Sequence, residues 1–144
     1  MNNANELRQM LRNYTGSEQV YRHSLARLFN YTEGARAFFQ NAGQGAYWLA
    51  DILATEVTIH KGVQEHGFCI ALLDVADGHA KLVVARDANI QRCADGVKRY
   101  SFDGEVFSHT IDYTDCPEGI WKFYLTWTRV GESDVVLCML PSEY

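Results

Sequence analysis

An α+β domain is the class this sequence predicts, and three observations predict it. Apolar residues recur at helical spacing through the first third of the chain, from Leu7 to Leu53. From Phe68 onward they fall in short β-branched or alternating blocks. The clearest block places Trp121, Phe123, Leu125 and Trp127 on one side and Lys122, Tyr124, Thr126 and Thr128 on the other, as in an antiparallel strand covering a core on one face. The expected architecture is N-terminal helices, about residues 5–55, packed on one face of a C-terminal antiparallel sheet, about 57–140, in a single domain spanning 1–144.

The 144 residues suffice for one core, and 47% hydrophobic with 22% charged content is the balance of a globular chain. The start of the chain lacks the basic and apolar stretches of a signal peptide, so the expected compartment is the cytoplasm. Cys69, Cys93, Cys116 and Cys138 are scattered singly, with no C-x-x-C pair, so neither a metal nor any other cofactor is expected. The net charge of −5 is unevenly divided. Residues 1–45 hold five arginines against three glutamates, which leaves −7 for the rest. An acidic body of this kind argues against direct nucleic-acid binding, which needs cations placed on phosphates.

Element by element, Leu7, Met10, Leu11 and Tyr14 predict a first helix beginning after Asn3 or Asn5, with Arg8 and Arg12 on its exposed face. Val20, Tyr21, Leu25, Leu28 and Phe29 suggest a second helix, with Ser17 as its cap. Thr32 is positioned to cap a third that ends at Asn41-Ala42-Gly43. The run from Tyr47 to Ala54 is expected as a central helix covered on more than one side, with Asp51 buried in it. Glu56 to His60 fits either an edge strand or the tail of that helix. Phe68–Leu73 and Lys81–Ala85 flank Asp77-Gly78 and predict a β-hairpin, and Asp87 to Asp103 is expected as a loop. Val106 to Tyr113 alternates as a half-buried strand. Val135 to Leu140, apolar on both faces, predicts a strand inside the sheet or under a partner, for which a two-fold dimer is the simplest source.

Two constellations bear on chemistry. His23, oriented by Asp51 and next to Arg22, is the best catalytic arrangement present, as a general base of a small hydrolase or nuclease-like enzyme. No nucleophile or oxyanion signal accompanies it, and a simpler reading has Asp51 held by Arg22. The histidines show no H-x-x-x-H spacing, and Gly43-Gln44-Gly45 lacks the Lys-Ser/Thr of a phosphate loop. The second constellation is Asp103, Glu105, Asp112, Asp115 and Glu118, five acids with no Lys or Arg between Tyr100 and Trp121. With Tyr100, Phe107 and Tyr113 as aromatic anchors, they form a candidate surface for a basic partner.

Tyr14-Thr15-Gly16-Ser17-Glu18, Tyr21-Arg22-His23, Tyr31-Thr32-Glu33-Gly34, Ala46-Tyr47-Trp48-Leu49-x-Asp51, Asp112-Tyr113-Thr114-Asp115-x-Pro117 and Leu140-Pro141-Ser142-Glu143-Tyr144 stand together along the chain. In that combination the sequence resembles a domain-of-unknown-function family of small proteins carried on bacterial plasmids, phages and other mobile elements. The resemblance brings no catalytic residue with it. It implies a setting, in which small acidic proteins often switch off host defence, CRISPR complexes included. The expectation is therefore a stoichiometric inhibitor that binds a host protein or nucleoprotein complex which itself presents a basic surface.

Overall fold

Asn3 opens the first helix, α1 (Ala4–Leu11): its side chain accepts from the Glu6 N–H at 2.9 Å, and the Glu6 carboxylate reaches back to the Asn3 N–H. This reciprocal cap satisfies two donors that a first helical turn leaves without partners. The computed structural model describes residues 3–16, 19–24, 26, 28–57, 67–92, 98–130 and 133–144, and of 89–92, 98–103, 106, 128–130, 133 and 134 the backbone alone. The proposed Ser17 cap lies outside the described residues.

The expected second helix is a pair of strands instead. β1 (Val20–Arg22) and β2 (Phe29–Thr32) run antiparallel, with Tyr21 opposite Tyr31. Valine, phenylalanine and tyrosine suit a pleated surface, and β2 gains a hydrogen-bonded neighbour that no helix at this place would have. That neighbour is β7 (Ser133–Met139), which pairs with β2 in parallel, Phe29 opposite Val136. Tertiary pairing thus overrides an apolar spacing compatible with a helix. The first 55 residues are not wholly helical, and the sheet is mixed rather than wholly antiparallel.

Thr32 does cap the next helix, α2 (Glu33–Asn41), its hydroxyl accepting from the Ala35 N–H at 3.3 Å. α3 (Tyr47–Ile52) follows and continues as a π-helical turn over Leu53–Val57. The segment after Ala54 is thus helical as far as Val57, and 58–60 lie outside the described residues. Leu49 and Leu53 are fully buried, but Tyr47 is 41% exposed and the Asp51 side chain 66% exposed. This helix is covered on one side, so the expected burial of Asp51 is corrected.

Asp77 and Gly78 both adopt positive φ, 54° and 76°, the backbone of a two-residue turn that matches strand twist. They join β3 (Phe68–Ala76) to β4 (His79–Arg92) in the expected hairpin. β4 then pairs with β5 (Lys98–Ile111) from Ala80 to Arg92, with a register shift between Val84 and Ala85, so the expected loop is corrected for 87–92 and 98–103. Polar side chains hide a strand from a pattern search, but a hairpin's arms satisfy each other's backbone whether or not either has an apolar face. β6 (Gly119–Val130) returns beside β3 and pairs with β7 on its other side. Among the described residues the sheet has seven strands in the order β1-β2-β7-β6-β3-β4-β5.

The main apolar cluster joins Leu7, Phe38, Leu49 and Leu53 of the helical segments to Leu73, Leu82, Trp121, Phe123, Leu125 and Cys138 of the sheet. Phe38 meets the Phe123 ring edge-on at 5.0 Å between centroids. The alternation read for β6 therefore holds, with Trp127 half-buried at its rim. A smaller cluster, Ile70, Leu72 and Ala88 with Phe68, Ile120 and Tyr124 against it, forms separately. β7 is interior, as its composition implies, with Val135, Val136, Cys138 and Met139 all buried within the single chain.

Candidate interaction surface

The loop after β5 begins where strand pairing stops at Ile111, and it is knitted to the β3–β4 turn by polar groups on both sides. The Thr114 N–H donates to the Gly78 carbonyl at 2.8 Å, and His79 Nδ1 donates to the Asp112 carbonyl at 2.7 Å. Glu118 accepts from the Asp77 N–H at 2.9 Å, and Asp115 accepts from the Gln44 N–H at 2.8 Å in the loop before α3. Cys116 donates its N–H to Thr114 Oγ1, and the Trp121 indole donates to the Pro117 carbonyl. A loop with this many fixed points is rigid without being regular. It holds Tyr113 out into water, 81% exposed, beside the exposed Asp112.

These contacts revise the role of the acidic residues. Asp115 is half-buried and Glu118 exposed, and each binds a main-chain N–H of another segment. Part of the local negative charge is therefore used by the fold itself. Glu105 and Asp112 are exposed, while Phe107 is half-buried against the main core and is no free anchor. The side chains of Tyr100 and Asp103 lie outside the described residues.

His23 and Asp51 do meet, with Nε2 2.8 Å from Oδ1. The histidine is 7% exposed, and its Nδ1 accepts the Ala26 N–H at 3.0 Å. A neutral ring that accepts at Nδ1 carries its proton on Nε2 and donates it to Asp51. Both nitrogens are engaged by the protein, so the ring ties the β1–β2 connection to α3. Arg22 is exposed on β1, paired through its backbone with Asn30, and His23 rather than Arg22 holds Asp51. Nearby, the Arg36 guanidinium lies 4.3 Å from the centre of the Tyr21 ring, and the hydrogen bonds it donates to the hydroxyl oxygens of Tyr47 first and Tyr21 second favour its charged form. Burial pushes the Tyr31 hydroxyl pKa up, with Tyr47 adding to it.

Burial also raises the thiol pKa values of Cys69, Cys116 and Cys138, and among the described residues no group of three or more His, Cys, Asp or Glu is placed to hold a metal ion. No helix of the described residues is long and apolar enough to cross a membrane.

Sequence reading missed two relationships. Arg8 does not share Arg12's exposure: it is half-buried, stacked 4.1 Å from the centre of Trp121 and donating to the Ile120 carbonyl at 3.1 Å. Its place beside Leu7 and Leu11, at the margin of the apolar stripe, is the available signal, since a long cationic side chain there can lay its stem and head on an aromatic ring. The second is the grip of Glu143 on the start of α2, which no local pattern announces.

Neither a curated protein nor a solved structure matches the chain. A sequence model of one family matches residues 5–144, nearly the whole length. The chain belongs to the family of unknown function DUF6876.

Proposed function

We propose that this chain is a stoichiometric binding protein carried on a plasmid, phage or other mobile element, acting against a host defence system such as a CRISPR–Cas complex by occupying a basic nucleic-acid-handling surface. The reading includes N-terminal helices packed on one face of the sheet, which serves as the frame for the loop. One observation carries it: Tyr113, 81% exposed, stands beside Asp112 on a loop already fixed by hydrogen bonds to Gly78 and His79. A tyrosine on a backbone already fixed has little but its side-chain rotamers left to lose on binding, and exposed tyrosines of this kind are typical interface anchors. Asp112 and Glu105 supply the negative field that steers a basic partner into place. The mobile-element setting rests on the six sequence motifs that carry the family resemblance. A two-fold dimer is compatible with the proposal, although β7 does not require one, being covered within the chain.

The test is capture of partners by a tagged copy in host cells, identified by mass spectrometry, followed by binding kinetics with the purified partner. Tyr113→Ala should raise the dissociation rate, and Asp112→Lys should slow association, most clearly at low salt. A partner that binds both variants at unchanged rates would remove this surface from consideration.

A further inference from the structure

We propose that the cleft between α1, the open flank of β6 and the C-terminal turn at Pro141–Glu143 binds a small amphiphilic organic anion, with a carboxylate or phosphate head on an apolar body. The cleft encloses about 380 Å³, inside the ~300–1,000 Å³ of small-molecule sites. Phe38, Trp121 and Leu140 give it apolar walls, and no carboxylate is among the residues that line it. Arg8 and Arg12 line it at the C-terminal end of α1. This site is separate from the acidic loop, and the inference stands whether or not that loop binds a protein.

The two arginines are set up for an anion. Arg8 is fixed by its stack on Trp121 and its bond to the Ile120 carbonyl. Its pKa is lowered first by burial and then by the charge of Arg12, so two like charges sit close together in a partly dry place. Among the described residues neither is paired with a carboxylate. A ligand's anionic head at this point would relieve that repulsion, and its apolar body would cover the aromatic wall.

The strand edge adds a donor. The ladder between β6 and β7 ends at Tyr124 opposite Met139, so among the described residues no strand pairs with the first residues of β6 on that side. The Ile120 carbonyl points there, toward Arg8. In an antiparallel strand the main-chain groups of alternate residues point the same way, which aims the Lys122 N–H into the cleft. An added peptide strand needs a row of free edge groups, and Arg8 already occupies the Ile120 carbonyl. A compact molecule suits the space better than a peptide.

The experiment titrates the protein with decanoate, decyl phosphate, decanol and decylammonium below their micelle concentrations, by calorimetry and by amide and indole NMR. One alkyl anion per chain should bind at least about tenfold more tightly than decanol or decylammonium. The shifts should centre on the Trp121 indole and the Lys122 amide. Arg12→Gln, an exposed substitution that leaves the core intact, should weaken the anions by about tenfold and decanol hardly at all. Whichever anion binds more tightly identifies the head group as carboxylate or phosphate. Decanol binding as tightly as the anions, anions indifferent to Arg12→Gln, or an acidic peptide shifting Lys122 when no alkyl anion does, would each overturn the proposal.

Discussion

The Glu143 carboxylate holds the main chain of Gly34: Oε2 accepts the Gly34 N–H at 3.0 Å, while Oε1 accepts from the Thr32 hydroxyl at 2.6 Å and from the Leu140 N–H at 3.0 Å. One side chain thereby satisfies the first turn of α2, braces its capping residue and closes its own turn. The negative charge also sits at the positive end of the helix dipole. Glu143→Ala should cost about 1–3 kcal/mol, since partly buried donors lose a charged acceptor. Glu143→Gln should recover part of that loss. Urea melts that place the alanine variant within about 0.5 kcal/mol of the parent would mean that water replaces the carboxylate without penalty.

Gly34 is the other half of the same contact. A Cβ there would lie 2.7 Å from Leu140 Cδ1 and would collide with the Glu143 carboxylate. In an open helix Gly→Ala gains about 1 kcal/mol, but at this position overpacking should reverse the sign, to a loss of about 1–3 kcal/mol. The two substitutions should be non-additive in a double-mutant cycle, because Glu143→Ala clears the carboxylate's share of the space that Gly34→Ala needs and leaves only Leu140 to give way.

Trp121 is 3% exposed within the main cluster, and Trp127 is half-buried at its rim. Trp121→Ala should cost about 3–5 kcal/mol and Trp127→Ala less, about 1–3 kcal/mol. Equilibrium unfolding of both, with Lys122→Ala as control, checks the register of β6. A lysine variant more damaging than Trp121→Ala would put the wrong face of the strand inward.

Burial raises the pKa of all three described thiols, Cys138 the furthest, and none is bridged. In a Cys93→Ser background, the native protein should react with a disulfide reagent at pH 8 only as fast as it unfolds. A rapid stoichiometric thiol under native conditions would show that one of the three is open to solvent.

His23 and Asp51 should separate in a way that a catalytic pair would not. Asp51→Asn removes a carboxylate that is 66% exposed, so its stability cost should stay below about 1 kcal/mol. His23→Ala strands the Ala26 N–H in a partly buried site and should cost about 1–3 kcal/mol. Equal losses for the two, by thermal or urea melts, would contradict the assignment of the ring as a tie between segments.

Where local chemistry decides the structure, the sequence was a sufficient guide. Asn3 and Thr32 cap the helices expected of them, Asp77-Gly78 makes the expected turn, and the alternation through Trp121 to Trp127 gives the buried face of β6. It misled where a distant partner decides. Val20 to Phe29 fits a helix by spacing, and only β7 shows why Phe29 to Thr32 is a strand. The polar arms of β4 and β5 have no periodic signal, because their order comes from pairing with each other. The acidic loop was legible as a charged segment, but the duties of Asp115 and Glu118 depend on residues far away in sequence, Gln44 and Asp77. The same holds for Arg8, whose contact with Trp121 spans most of the chain.

The parallel pairing of β2 with β7, and the bond from Gly34 to Glu143, 109 residues away, also set an order of events during synthesis. The β3–β4–β5 meander contains only near-neighbour contacts and is free to form while the ribosome is still adding residues. β2 and the cap on α2 have no such freedom, since their partners, β7 and Glu143, lie far along the chain. β2 must wait, exposed, for β7, and a ribosome stalled before Val135 would hold a half-built sheet with Phe29 and Tyr31 still looking for a neighbour.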